Sequence, residues 1–456
     1  MIILKEHQLS AKAFLHSRQG LGGLLWHEMG LGKTLTSLFY VRERFAMLRR
    51  EGIANNPKFL VIMPKSAGIT WKKEVQRNAS DLWPSMIMLP VSRLKQFKRY
   101  LLQHDVRVII VDESHYLKNP EADRTQFFAE ILKYLAFEGM GNFFQGKIVF
   151  LTGTPYMNNA GELFPSWAVL AARNAAEAAG RLSSAAQFEK WRGSFANRND
   201  ICFNKFDRKR KMMISVNATT WEGTNKATRH EMDALVASFT HYRSAAECLD
   251  MPEKTLVEVD LGLPDDKLLA DAKLEESDFF IEQLATIAKA KTPHAIEWVK
   301  NFFEESKDRQ LVIFSQFKEP ILRLKELLKE HMVLVTGDEV GRQRDSNINK
   351  FQEGKVKVIG LTYGAGAESI NLQNANYTLY IGYPWTWAKL AQAMARTWRQ
   401  GQHKPTFHYF LLSGQSDARV LEKVMTKQSD TNDLEAAIKT LTADFMSKVS
   451  TVDDLI

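Results

Sequence analysis

The stretch Gly23-Leu24-Leu25-Trp26-His27-Glu28-Met29-Gly30-Leu31-Gly32-Lys33-Thr34 decides how this chain is read. Four apolar residues make a short buried strand. Two glycines then form a turn, and a helix-period segment, Leu35 to Arg44, follows at once. Strand, glycine turn and helix in that order are what a phosphate cradle needs. Glycine lets backbone N–H groups face an anion, and the helix N-terminus adds partial positive charge. Lys33 would then reach the β and γ oxygens of a nucleotide, and Thr34 would ligate Mg²⁺. The general pattern places a glycine where His27 stands, so taken alone the run also reads as a glycine turn capping a helix.

A second run settles that ambiguity. Val106 to Val111 is another short apolar strand, and it ends in Asp112-Glu113-Ser114-His115. Carboxylates at the C-terminal end of such a strand sit where open α/β sheets bind ligands. Asp112 is suited to holding Mg²⁺, and Glu113 to orienting or deprotonating the attacking water. Far downstream, Gln392-Ala393-Met394-Ala395-Arg396-Thr397-Trp398-Arg399-Gln400-Gly401-Gln402 carries two arginines three apart. On a helix they share a face, from which they would stabilise charge on a transferring phosphoryl group. A solvated basic face is the competing reading.

Around these motifs, short apolar runs alternate with helix-period segments. They are Gly23 to Trp26, Phe59 to Met63, Val106 to Val111 and Lys147 to Leu151, then Gln310 to Phe314, His331 to Val335, Val356 to Leu361, Tyr377 to Ile381 and Thr406 to Leu412. Such alternation predicts an α/β fold with two lobes, each built on a parallel sheet. Between them the pattern turns helical and polar. The expected divisions are a first lobe over 1–165, a helical and basic insert over 166–255, a linker and helix over 256–290, a second lobe over 291–428 and a helical tail over 429–456.

Composition agrees with this size. The 456 residues allow two to four domains, and 45% hydrophobic with 25% charged residues is ordinary for a globular protein. No window is apolar enough to span a membrane, and the N-terminus lacks a secretory layout, so a cytoplasmic protein is expected. Cys202 and Cys248 lie too far apart for a disulfide framework or a paired-thiolate zinc site. The net charge is +8, and the stretch Lys205 to Arg229 holds much of it, including Arg208-Lys209-Arg210-Lys211. Clustered cations of this kind supply the counterion-release part of nucleic-acid binding, although a solvated loop would look the same.

Taken together, Met29 to Thr34, Asp112-Glu113-Ser114-His115-Tyr116-Leu117-Lys118-Asn119, Leu151-Thr152-Gly153-Thr154-Pro155 and Gln392 to Gln402 resemble the signature motifs of Swi/Snf-type ATPases. These are superfamily-two double-stranded-DNA translocases related to DEAH-box helicases. The resemblance runs from about Leu4 to Lys427. It implies two RecA-like lobes binding ATP and Mg²⁺, and a motor that tracks duplex DNA without strong sequence preference. Gln8 resembles the adenine-reading glutamine, and Gly30, Gly32, Lys33, Thr34 and His115 fall on nucleotide-site positions. Asp112, Glu113, Gln392, Arg396 and Arg399 fall on catalytic ones. Nucleic-acid contacts are implied for Lys65 and Ser66, in Met63-Pro64-Lys65-Ser66, and for the Trp71-Lys72-Lys73-Glu74 run that follows. They are implied also for Thr152, Thr154, Ser315, Gln316, Thr336 and Thr362. Trp221 to Asn225 and Met251 to Lys254 resemble family markers before the interlobe link.

There are departures. His27 replaces an acidic residue, Tyr363, Ala367 and Ser369 replace the usual Thr, Gly and Gly, and Trp398 stands where His is common. They leave the Lys, Asp, Glu and Arg chemistry in place. With no accessory module recognised, a monomeric prokaryotic or viral member is expected, nucleoid-associated, with any protein partner supplying specificity. A strand-separating helicase and a nucleotide-gated DNA-binding regulator with little turnover are the alternatives.

Overall fold

The computed structural model describes residues 3–101, 104–138, 146–156, 158–207, 212–271, 280–305, 308–339, 341–366 and 370–448. The chain divides into two units, one up to Ser244 together with the segment from Ser429, the other from Ala245 to Gln428.

The strands of the first unit are β1 (Gly22–His27), β2 (Lys58–Met63), β3 (Met86–Pro90), β4 (Val106–Asp112), β5 (Lys147–Thr152), β6 (Asn197–Asp207), β7 (Met212–Glu222) and β8 (Thr240–Arg243). Six form an all-parallel sheet in the order β3-β2-β4-β5-β1-β8. Parallel sheets bury both faces, and the alternate side chains of these strands divide accordingly. Leu24, Leu60, Ile62, Ile109 and Phe150 enter one core cluster, and Leu25, Phe59, Val61, Val108 and Val149 the other. Helix α1 (Glu6–Ser17) and helix α2 (Lys33–Arg50) cover the second face through Phe14, Leu15, Leu38, Val41, Phe45 and Leu48. In α2 the last four recur every three or four residues, the spacing that keeps one helical stripe on the sheet.

The second unit contains β9 (Lys254–Asp260), β10 (Leu311–Ser315), β11 (Met332–Val335), β12 (Val358–Thr362), β13 (Tyr377–Tyr380) and β14 (Thr406–Leu412). They form another all-parallel sheet, ordered β11-β12-β10-β13-β14-β9. Val312, Phe314, Ile359 and Tyr380 pack on one side, and Leu311, Ile313, Val358 and Leu379 on the other.

The expected strands are all present, within one or two residues of their expected ends. The intervening region is less helical than its polarity implies. Helices fill Phe164–Leu170, Ala175–Leu182 and Ala185–Phe195, but β6 and β7 then pair in an eleven-residue antiparallel ladder. Asn159 ties the foot of this arm through Nδ2 to Trp221 O at 3.0 Å, and the Arg192 guanidinium lies 4.7 Å over the Trp221 ring. Strand β8 then returns to the main sheet beside β1. β9 begins before the expected linker and completes the edge of the second sheet by pairing with β14. The expected separate tail is part of one helix, Gly414–Lys448, whose Leu434 and Ile438 enter the core of the first unit. Arg208, Lys209, Arg210 and Lys211 lie outside the described residues, as do Ala367 and Ser369.

Candidate nucleotide site

The parallel register brings β1, β5 and β4 side by side, so their C-terminal ends form one edge. The glycine turn leaves β1 at this edge, Asp112 ends β4 and Thr152 ends β5. Gly30 and Gly32 have φ of 88° and 73°, a region that glycine enters without penalty. Gly32 is needed for a second reason. A Cβ there would lie 2.5 Å from Gln8 Nε2. Gln8 is buried, and its Nε2 donates to Leu31 O at 3.4 Å while Lys5 N donates to its Oε1 at 2.9 Å. Helix α1 therefore fixes the glutamine against the turn. Lys33 opens α2, and its ammonium donates to His27 O at 2.7 Å and Glu28 O at 3.3 Å, inside the curve of the turn. A turn with two glycines, closed by a lysine at the N-terminus of an eighteen-residue helix, fits a nucleotide's phosphates.

Opposite the turn, Asp112 accepts hydrogen bonds at both oxygens, from Trp71 Nε1 to Oδ2 at 2.8 Å and from Glu113 N to Oδ1 at 3.1 Å. Burial and the neighbouring Glu113 charge push its carboxyl up to about 6, against the lowering effects of the Trp71 bond and Lys33. A carboxylate so poorly solvated gains from a cation. Among the described residues no group of three or more His, Cys, Asp or Glu is placed to hold a metal alone. Glu113 has φ 51° and ψ 53°, a left-handed conformation strained for a residue with a Cβ. It starts the 3₁₀ turn Ser114–Leu117 and leaves the strand direction there.

His115 lies with Nδ1 3.3 Å from Glu113 Oε2 and 3.4 Å from Thr152 Oγ1, and stacks on Tyr116. It thus joins the acidic pair to the end of β5, where Thr152 Oγ1 also accepts from Thr154 N at 3.0 Å. The threonines and the serine expected at the nucleic acid lie at the strand ends. Thr152, Thr154, Ser315, Thr336 and Thr362 are buried, and four of the hydroxyls bond within the chain. Ser315 Oγ accepts from Phe317 N at 3.1 Å, Thr336 Oγ1 donates to Glu339 Oε2 at 3.0 Å and Thr362 Oγ1 donates to Thr336 O at 3.1 Å. These residues build the strand ends. Lys65, in contrast, is exposed, and Ser66 and Gln316 are partly so.

The arginine pair is corrected too. The helix that carries Gln392 spans Trp387–Met394, so Arg396 and Arg399 lie in the turns beyond it and not on its face. They converge nonetheless, because the turns fold both toward one carbonyl. Arg396 donates to Ile370 O at 3.1 Å and Gln392 O at 3.1 Å, and Arg399 to Ile370 O at 3.3 Å and to Asn371 Oδ1. Burial lowers the Arg399 guanidinium from its ordinary range. Trp398, the departure from the usual histidine, donates Nε1 to Pro252 O at 2.8 Å with Lys254 over its ring, and so ties these turns to the edge of the second sheet.

Sequence reasoning missed two groups. Trp71 belongs to the run that resembles a nucleic-acid motif, and its N–H faces Asp112; a buried indole needs an acceptor, which is the signal available in the sequence. His27 is buried behind the turn, 2.8 Å through Nε2 from His241 Nδ1, and His241 Nε2 lies 2.7 Å from Ser10 Oγ. Burial holds both imidazoles well below their ordinary range, helped at His27 by His241 and Lys33 and at His241 by Arg243 and His7. No local signal in the sequence pairs these residues.

Residues 7–89 match the SNF2-related domain family, and residues 294–401 match the helicase conserved C-terminal domain family. A putative ATP-dependent RNA helicase, L538, of Acanthamoeba polyphaga mimivirus is 24% identical over 88% of this chain and 85% of its own length. A RAD54-like DNA repair and recombination protein of Drosophila ananassae is 22% identical over 94% of this chain, which spans only 62% of that protein. Among solved structures, S. cerevisiae Dbp5 bound to RNA and ADP BeF3 matches with a TM-score of 0.52 and 12% identity, over 96% of this chain and 93% of its own, a likeness of fold. Among the described residues no helix is long and apolar enough to cross a membrane. A phosphate turn and acidic pair on one parallel sheet, a second parallel sheet carrying the arginine turns, and an SNF2-related domain followed by a helicase C-terminal domain together support a Swi/Snf-type, superfamily-two helicase-like ATPase.

Proposed function

We propose that the chain hydrolyses ATP, with Mg²⁺, to translocate on double-stranded DNA and displace or remodel what is bound there. The observation that carries this reading is the single strand edge at which Lys33, Asp112, Glu113 and Gln8 meet, in a chain with an SNF2-related domain. In this mechanism Gln8 reads the adenine edge, and the N–H groups of the glycine turn with Lys33 hold the β and γ phosphates. Thr34 and Asp112 would hold Mg²⁺, which neutralises charge developing on the phosphate oxygens. Glu113, aimed by its strained backbone and by His115, takes the proton of the attacking water. Arg396 and Arg399 supply positive charge to the γ-phosphoryl group, with Gln392 beside them. Both guanidiniums donate to Ile370 O in the structure.

On the nucleic acid, Lys65, Ser66 and Gln316 are the accessible polar contacts, and the basic run Arg208 to Lys211 adds a phosphate-binding patch. Phosphate contacts position without reading sequence, so specificity would come from a partner. A strand-separating or RNA-directed activity is the second reading, favoured by the name of the viral relative and by the RNA bound to Dbp5. Turnover measured side by side with duplex DNA, single-stranded DNA and RNA separates them, together with displacement of a strand from a tailed duplex. Stimulation by duplex DNA without strand release supports translocation. Stimulation by RNA alone, or ATP-dependent strand release, overturns it.

A further inference from the structure

We propose that Trp71 is a positioning residue that couples the nucleic-acid side of the first unit to the magnesium carboxylate, Asp112. The inference rests on the ATPase reading above and adds a regulatory contact to the same site.

The turn Lys65–Ala67 follows β2, and helix α3 (Gly68–Asn78) follows the turn. Because β2 is the parallel neighbour of β4, with Ile62 opposite Val111, the turn leaves the sheet beside Asp112. Helix α3 has two sharply different faces. Lys72, Lys73 and Arg77 are exposed, as is Lys65 before them, so its outer side is basic and suited to a polyanion. Its buried residues are Trp71, 1% exposed, and Val75. The indole is therefore packed on the core, and its one polar atom donates to Asp112 Oδ2 at 2.8 Å.

Among the described residues, Trp71 is the side chain from outside β4 that donates a hydrogen bond to Asp112. The Glu113 N–H that donates to Oδ1 belongs to the next residue and moves with the strand. A rigid indole transmits displacement directly, since it has only two side-chain torsions and is buried in the core. A polyanion pulling on Lys65, Lys72 and Lys73 shifts α3, and the Trp71 N–H shifts with it. The carboxylate that must meet the metal then rotates toward or away from its working position. Nucleic acid can thus be sensed within one unit through a single hydrogen bond.

Trp71→Phe keeps the ring packing and removes the N–H; Val75→Ala trims the same buried face without touching Asp112. Both are tested in the full chain by four measurements: binding of a fluorescent ADP analogue at graded Mg²⁺, the same binding without Mg²⁺, affinity for duplex DNA, and turnover with and without DNA. For Trp71→Phe the Mg²⁺ concentration at half-saturation should rise about tenfold, as expected for one lost hydrogen bond to a charged group, and magnesium-free binding should stay as in wild type. The ratio of DNA-stimulated to basal turnover should fall about fivefold or more, with DNA affinity unchanged. Val75→Ala should leave both the Mg²⁺ requirement and the ratio near wild type. An unchanged Mg²⁺ requirement in Trp71→Phe, or an equal change in Val75→Ala, overturns the proposal. If duplex DNA fails to stimulate even the wild-type chain, the translocase reading fails and the Mg²⁺ arm still decides the role of Trp71.

Discussion

Lys291 offers the sharpest energetic test of the second unit. Its side chain is 0% exposed, and its ammonium donates to Asp417 Oδ2 at 2.5 Å and to Leu411 O at 2.9 Å. Asp417 Oδ2 also accepts from Ser413 N and Oγ, each at 3.0 Å, while Tyr383 places its ring 5.2 Å from the ammonium and donates its hydroxyl to Leu411 O. Lys291→Met preserves length and apolar contact and removes the charge together with its hydrogen bonds to Asp417 and Leu411 O. Asp417 is then a buried carboxylate left with the Ser413 donors, a loss of about 3–5 kcal/mol. Asp417→Asn alone strands the ammonium at similar cost. The double variant pairs neutral groups and keeps an acceptor for Ser413, so it should be more stable than either single variant, which additive effects cannot produce. Peptide-resolved hydrogen exchange reads this unit by unit, where a single melting curve would mix the two. Protection across β10 to β14 should drop by roughly two to four decades in Lys291→Met, within the limit set by the unit's total stability, and recover in the double variant. A double variant whose loss equals the sum of the two single losses would refute the ion-pair argument.

Three further outcomes are expected. Glu113→Gln should abolish hydrolysis while retaining ATP, whereas Lys33→Ala should weaken nucleotide binding as well; wild-type turnover in the Glu113 variant would remove it from the chemistry. His27 and His241 stay neutral in the folded chain but take up protons near 6.5 when unfolded, so stability should be full above that pH and fall as pH drops below it, by up to about 1.4 kcal/mol per pH unit for each group. His27→Gln should flatten that slope in urea titrations at pH 7.5 and 5.5, and an unchanged slope would contradict the burial argument. Neutralising Arg208, Lys209, Arg210 and Lys211 should weaken DNA binding and reduce its salt dependence by up to about four charges' worth; an identical salt slope would return the run to a solvated loop.

What the sequence determined by itself is local and repetitive. Lys33 after Gly30 and Gly32, and Asp112 with Glu113 at the end of an apolar run, are legible because the backbone path and the chemistry occupy consecutive residues. The central strands are legible for a related reason: a strand buried on both faces must be apolar throughout, as Val108 to Val111 and Leu311 to Phe314 are. Elements whose burial comes from neighbours were not. β8 reads Thr-His-Tyr-Arg, polar in sequence, and becomes a strand because β1 offers it an edge and His27 a partner. β9 alternates exposed and half-buried residues at the edge of its sheet, with Leu256 in the open, so hydropathy marks it weakly. The helical reading of Arg396 and Arg399 failed because their turns are held by Ile370 O and Pro252 O, groups far away in the chain. Only the tertiary structure joins Trp71 to Asp112, His27 to His241 and Lys291 to Asp417. A buried donor takes the acceptor that packing places within reach, and that choice depends on distances through space that no run of neighbouring residues encodes.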